Sequence, residues 1–185
     1  MTQLYIVRHG QTQWSQEGRY TSVTEVGLTP EGRAQAEALG RRLDPSEFDI
    51  VLTSPRQRAR ETAEAAGFSA EVDEDLAEWF YGDLEGQTIK QIRDFRPGWQ
   101  IWTSTVPNGE QKFQVAVRAG RFVEKIQNSG VDKVICFTHG HISRAIALSW
   151  IGLEVMHGGS FPLAVGSLSI LGYDDRNPAI LAWNT

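Results

Sequence analysis

Two stretches decide how this chain folds: Gln3-Leu4-Tyr5-Ile6-Val7-Arg8-His9-Gly10 near the start and Val134-Ile135-Cys136-Phe137-Thr138-His139-Gly140 toward the end. Each is a short run of β-branched, aliphatic and aromatic residues that breaks at a His-Gly pair, the pattern of a buried strand ending in a turn. In open α/β sheets, ligands bind beyond the carboxyl ends of the strands, where the strand order reverses. The matched pairs therefore predict two strands of one sheet, Gln3 to Val7 and Val134 to Thr138, with both imidazoles facing one crevice. The plainer alternative is that each His is a hydrogen-bonded residue at a strand end. Glycine after each His is expected to let the backbone turn sharply and approach a ligand closely.

Outward from these strands, Thr29-Pro30 reads as an N-cap with proline in the first helical turn, and Ala36, Leu39 and Leu43 give that helix a buried stripe. Asp49 to Thr53 predicts a second strand. Ser54-Pro55 repeats the cap-plus-proline opening, with Ala59, Thr62, Ala63 and Ala66 as packing face and Gly67 as stop. Val115 to Gln127 is amphipathic, and a helix follows Gly140 from about His141 to Ile151. Ser167 to Tyr173 and Ile180 to Trp183 predict two antiparallel strands around Asp-Asp-Arg-Asn-Pro. The segment from Glu74 to Gly109 mixes turn chemistry with Trp and Phe, and is expected to lie over the scaffold, its part 86–109 forming a cap-like insertion over the site. No repeat or linker breaks the pattern. One domain over residues 1–185 is expected, α/β in class, with three layers α/β/α around a mostly parallel sheet.

Composition narrows the function. A chain of 185 residues suits one well-buried domain. The net charge of -5 excludes a generally basic nucleic-acid binder. No apolar run reaches the roughly 18 residues that cross a bilayer, and the N-terminus lacks a signal peptide's apolar core, so a cytoplasmic protein without a membrane partner is expected. The single cysteine, Cys136, can form no internal disulfide and reads as a small buried hydrophobe. The 18 basic residues divide into 14 Arg and 4 Lys, and Arg is the side chain whose planar fork grips oxyanions. Oligomerisation leaves no clear mark; a homodimer is compatible with the sequence.

The chemistry-bearing residues gather at one predicted sheet edge. Arg8 precedes the first His, and Arg58 lies one turn into the helix opened by Ser54-Pro55. A helix N-terminus with two guanidinium forks suits a phosphoryl group. Arg56 and Arg60 read as a solvated face. Glu78, in Leu76-Ala77-Glu78-Trp79-Phe80-Tyr81-Gly82, sits among apolar neighbours; desolvation there is expected to raise its pKa and keep it protonated as a proton donor. Asp73, Glu74, Asp75, Asp83 and Glu85 are nearby alternatives.

Arg8-His9-Gly10-Gln11-Thr12, Ser54-Pro55-Arg56-Gln57-Arg58-Ala59, Glu78 before Gly82-Asp83-Leu84-Glu85-Gly86, and Thr138-His139-Gly140-His141 resemble, in order, the motifs of the histidine phosphatase (phosphoglycerate mutase-like) superfamily. The stretches Trp14-Ser15, Gly18-Arg19-Tyr20-Thr21 and Gly27 to Gly32 are similar to those of its small broad-specificity acid phosphatases and sedoheptulose-bisphosphatase-like sugar phosphatases. The resemblance implies a phosphoglycerate mutase-like fold and hydrolysis of a small-molecule phosphate ester without metal or cofactor. It implies His9 as nucleophile, Arg8, Arg58 and His139 as ligands of the equatorial oxygens, and Glu78 as general acid and base. Thr12, Ser15, Thr21, Ser22, Tyr81 and Gly140 fall at positions implied to bind substrate. Ser15 stands where many relatives have Asn, Arg56 where an apolar residue is usual and Leu84 where Trp is frequent; these departures bear on substrate preference.

Three rival readings stay open. A phosphoglycerate mutase uses the same residues but keeps its phosphoenzyme from water, and the expectation against it is the short chain after the last strand. A metal-dependent hydrolase would use His139-x-His141, with His9 as a further ligand. A non-catalytic module would bind a phosphorylated ligand in the same pocket.

Overall fold

Backbone order in the computed structural model, which describes residues 1–185, runs β1 (Gln3–Arg8), α1 (Gln13–Gln16), α2 (Pro30–Gly40), β2 (Ile50–Thr53), α3 (Gln57–Ala65), β3 (Glu71–Val72), α4 (Ile89–Phe95), α5 (Lys112–Gln127), β4 (Lys133–Thr138), α6 (Gly140–Trp150), β5 (Leu168–Asp174) and β6 (Asn177–Ala182). One six-stranded sheet has the order β3-β2-β4-β1-β5-β6. The first four of these run parallel; β5 runs antiparallel to β1, and β6 antiparallel to β5.

Alternation along the strands builds two layers of core. Leu4, Ile6, Leu52, Val134 and Cys136 point to one face, where they join residues of α5 and α6 in the larger cluster. Val7, Ile135, Phe137 and Leu168 point to the other, against Leu39 of α2 and Ala63 of α3. Helices on both faces give the expected three-layer α/β/α fold.

Most helix signals translate directly. Thr29 accepts from the N–H of Gly32 with Pro30 in the first turn, and Gly67 takes the left-handed backbone, φ +85°, just past α3. Ser54-Pro55 does not open α3. That helix starts at Gln57 with Arg56 at the N-cap position. The reason is that Ser54 still belongs to the sheet, its N–H donating to the Phe137 carbonyl at 2.9 Å.

The segment expected as a cover is largely core. Leu76, Trp79, Tyr81, Leu84, Ile92, Trp99, Ile101, Trp102 and Val106 are all buried in the larger cluster. Leu76 and Leu84 sit on short 3-10 turns, Ile92 on α4 and the others on turns and loops, so no continuous period in the sequence announced a packed element. From 86–109 only Ile89 reaches the cavity described next.

Candidate active site

The register of the central strands assembles the site. Arg8 pairs with Thr138 across the parallel β1/β4 ladder, so the following residues, His9 and His139, leave the sheet side by side. Their ring centroids lie 5.2 Å apart, and the His9 N–H donates to the Thr138 carbonyl at 2.9 Å. β2 lies on the other side of β4 and delivers Ser54. This is the strand-end crevice that the paired His-Gly motifs predict.

Hydrogen bonding fixes both tautomers. His9 Nδ1 lies 2.8 Å from the Gly10 carbonyl; a carbonyl only accepts, so Nδ1 carries the proton and Nε2 keeps its lone pair. Burial, followed by the charges of Arg58 and Arg8, holds His9 well below the ordinary imidazole pKa. His139 is the mirror case. Arg58 Nε–H donates to its Nδ1 at 3.1 Å, so the proton sits on Nε2, 2.7 Å from Ser54 Oγ. Burial and Arg58 push His139 well down as well. Both nitrogens of His139 are thus occupied within the chain, Nδ1 by the Arg58 guanidinium and Nε2 by Ser54.

Glu78 also differs from its expected state. Its carboxylate is buried, yet it accepts N–H bonds from Trp79 and Ile142 at 2.9 Å each and from His141 at 3.1 Å. His141 and Ile142 open α6, whose own N-cap, His139, makes no side-chain cap bond. Glu78 caps this helix from a distance. Burial pushes its pKa up, but hydrogen bonding from His141 at the start of α6 outweighs it and holds the carboxyl well below the usual range. It is ionised at neutral pH.

The glycines serve backbone contacts. A Cβ on Gly10 would lie 2.3 Å from the Gly32 carbonyl oxygen, so the loop after His9 presses on the start of α2. A Cβ on Gly140 would come within 3.2 Å of Arg8 Cζ. Neither glycine has a positive φ; room, and not a special turn, is what each supplies.

A cavity of about 360 Å³ opens over His9. Arg8, Glu78, Gly140, Ser15, Thr21 and Tyr81 line it. Arg8 Nη1 donates to the Leu163 carbonyl, while its buried Nε has no partner. Cationic donors, a neutral imidazole with a free lone pair and a carboxylate in one cavity can receive, accept and protonate a phosphoryl ester. Residues 4–185 match the profile of the histidine phosphatase superfamily, branch 1. The chain belongs to that superfamily. This histidine phosphatase is 42% identical over 175 residues to an acid phosphatase of Mycobacterium tuberculosis, covering 92% of this chain and 86% of the relative. It is 36% identical over 183 residues to a sedoheptulose 1,7-bisphosphatase of Saccharomyces cerevisiae, covering 81% and 68%. A solved open-reading-frame product of Mycobacterium tuberculosis superposes with a TM-score of 0.94 at 40% identity, over 99% of this chain and 97% of that one. The phosphoglycerate mutase-like α/β fold expected from the motifs is thus the fold of the chain.

Not every motif residue of the histidine phosphatase reaches the cavity. Arg58 is fully buried; besides His139 it donates to the carbonyls of Thr21 at 3.0 Å, Ser22 at 3.2 Å and Thr24 at 3.2 Å. Arg58, His139 and Ser54 form a layer directly behind His9. Thr12 is buried and caps α1 in a reciprocal box with Ser15. Ser22 is buried too, its N–H and Oγ bound to the Glu85 carboxylate. No three His, Cys, Asp or Glu side chains cluster as a metal site would require, and no helix is long and apolar enough to cross a membrane.

Six cavity residues lie outside the site set read from the sequence: Gly18, Arg19, Tyr20, Ile89, His141 and Arg144. His141 is enclosed by Tyr20, Trp79, Tyr81 and Trp102, and its Nδ1 lies 2.5 Å from the Tyr81 hydroxyl. Burial and Glu78 push the Tyr81 phenol well up, which keeps it the donor. The available signal for Arg144 was its place one turn past Gly140, the same argument that singled out Arg58.

Proposed function

We propose that the chain hydrolyses small phosphate monoesters through a phosphohistidine on His9, with Glu78 as general acid and then general base. The observation that carries this reading is the His9 tautomer: Nδ1–H is held by the Gly10 carbonyl, and Nε2 is a neutral nucleophile among guanidinium groups. Nε2 attacks phosphorus, the N–P bond forms, and the P–O bond to the ester oxygen breaks. Arg8 receives a phosphoryl oxygen on its unpartnered Nε, and Arg58 adds its charge from behind.

A phosphoryl dianion beside Glu78 opposes the carboxylate's charge and favours its uptake of a proton, which Glu78 passes to the departing alkoxide. The resulting carboxylate then takes a proton from water as the water oxygen attacks phosphorus. The N–P bond breaks, inorganic phosphate leaves, and His9 returns to its starting tautomer.

The test is hydrolysis of p-nitrophenyl phosphate with EDTA present, together with acid-quench trapping of the phosphoenzyme. Turnover and a phosphohistidine are expected in the parent protein, and neither in His9→Ala. Undiminished turnover by His9→Ala would remove the nucleophile; loss with EDTA and recovery with zinc would replace the mechanism by a metal-dependent one.

A further inference from the structure

The buried and half-buried arginines Arg8, Arg58, Arg118 and Arg144 fall into two groups. Arg58 and Arg118 are satisfied internally: Arg58 by three carbonyls and His139, Arg118 by the Glu110 carboxylate and the carbonyls of Asp75 and Ala77. Arg8 and Arg144 are not. Each has a buried Nε without a partner, and both line the cavity over His9. Arg144 makes no salt bridge, although its guanidinium is largely enclosed; its Cζ sits 5.7 Å over the Trp102 ring. An unpaired guanidinium in such a place is costly unless something arrives to bind it.

The geometry around Arg144 is built. Trp102 is wedged against Gly158, where a Cβ would fall 2.3 Å from the indole, so the ring is fixed. Stacking on the indole covers one face of the guanidinium and leaves its N–H edge free to meet an anion in plane. Arg144 follows Gly140 by four residues on α6, a rise of about 6 Å, and Gly140 touches Arg8. The two unpartnered forks thus enter one cavity from different elements, Arg8 from the end of β1 and Arg144 from the second turn of α6.

Charge points the same way. Arg8, with Arg58 behind it, is matched to the transferring group, while Arg19 at the rim pairs with Glu17. Arg144 is the cavity cation left over. We propose that Arg144 receives a second anionic group of the substrate, a phosphate or carboxylate a few bonds from the scissile phosphate. The preferred substrates are doubly anionic esters. The inference rests on the phosphatase reading in taking the scissile phosphate to Arg8 and His9.

The experiment compares kcat/KM for fructose 1,6-bisphosphate against fructose 6-phosphate, and for 3-phosphoglycerate against glycerol 3-phosphate, in the parent protein, Arg144→Gln and Arg144→Lys. In the parent, at least one doubly anionic ester exceeds its partner. Arg144→Gln removes about 10- to 100-fold from that advantage, mainly through KM, and costs p-nitrophenyl phosphate hydrolysis less than it costs the doubly anionic esters. Arg144→Lys recovers part of the loss, which a merely structural role would not do. The same four esters are titrated calorimetrically into His9→Ala protein, so the second-anion preference is read as affinity without turnover. Equal use and equal binding within both pairs, or an Arg144→Gln loss as large on p-nitrophenyl phosphate as on the others, overturns the proposal. Absence of turnover in the parent with a preserved binding preference would instead overturn the phosphatase reading alone. The phosphate and carboxylate pairs separate the two kinds of second anion.

Discussion

Replacing Glu78 by Gln tests the carboxylate in both of its settings, chemical and structural. Three backbone N–H groups donate to it, two from the first turn of α6. A charged acceptor strengthens such a bond by about 1 kcal/mol over a neutral one, and a helix N-terminus adds about 0.3–2 kcal/mol for a negative group. Gln also turns one amide NH2 toward these donors. Relief of the buried charge offsets part of the loss, leaving a destabilisation of roughly 1–3 kcal/mol. For a domain of this size that lowers Tm by roughly 3–10 °C. The sign against pH follows from the direction of the shift. Because the folded pKa lies below the unfolded one, the carboxylate's stabilisation is fully present above about pH 4.3 and disappears as pH falls through the folded value. Calorimetric melts of the two proteins from pH 7 to 3 should show a constant Tm gap above about pH 5 that closes in acid. In rapid-quench assays, Glu78→Gln should accumulate phosphoenzyme from p-nitrophenyl phosphate, whose leaving group needs no acid, and lose about 10²- to 10⁴-fold on alkyl phosphates. A Tm gap that widens toward acid would mean that the carboxyl is protonated in the fold, and the reasoning would fail.

Arg58→Met strands the carbonyls of Thr21, Ser22 and Thr24 and should cost about 3 kcal/mol in urea unfolding; Arg58→Lys should cost less but lower activity, since it cannot hold His139 and the carbonyls together. Gly10→Ala forces two backbones apart and should cost at least about 2 kcal/mol while displacing His9, read as a fall in both Tm and kcat. Cys136 is buried and its thiol pushed up by burial, so it should resist a thiol reagent in native buffer and react at once in denaturant.

How much of this was legible depends on whether the partner of a residue is near it in sequence. Strand, His and Gly recur together, so the His9/His139 pair and its sheet edge could be read from local pattern. The ionisation of Glu78 could not, because its acceptor geometry uses N–H groups of residues 141 and 142, which no local reading connects to it. Apolar neighbours alone pointed the wrong way. Ser54 carried a helix-cap signature but remained tied to β4 and faced His139, an arrangement that only the strand register reveals. The buried aromatic residues between 79 and 102 pack deeply from turns and loops, where periodicity has nothing to count. Arg144 was readable in principle, one turn past the second His-Gly, but a lone arginine on a helix is ordinarily a surface residue.

The pairing of Arg8 with Thr138 also determines how the site can be damaged. Side chains alternate along both strands, so sliding β1 against β4 by one residue would exchange the contents of the two core layers. The spacing of the two imidazoles is thus quantised. Loosening the core at Ile6 or Phe137 shrinks the folded population, yet each molecule that does fold carries the same alignment of His9 and His139.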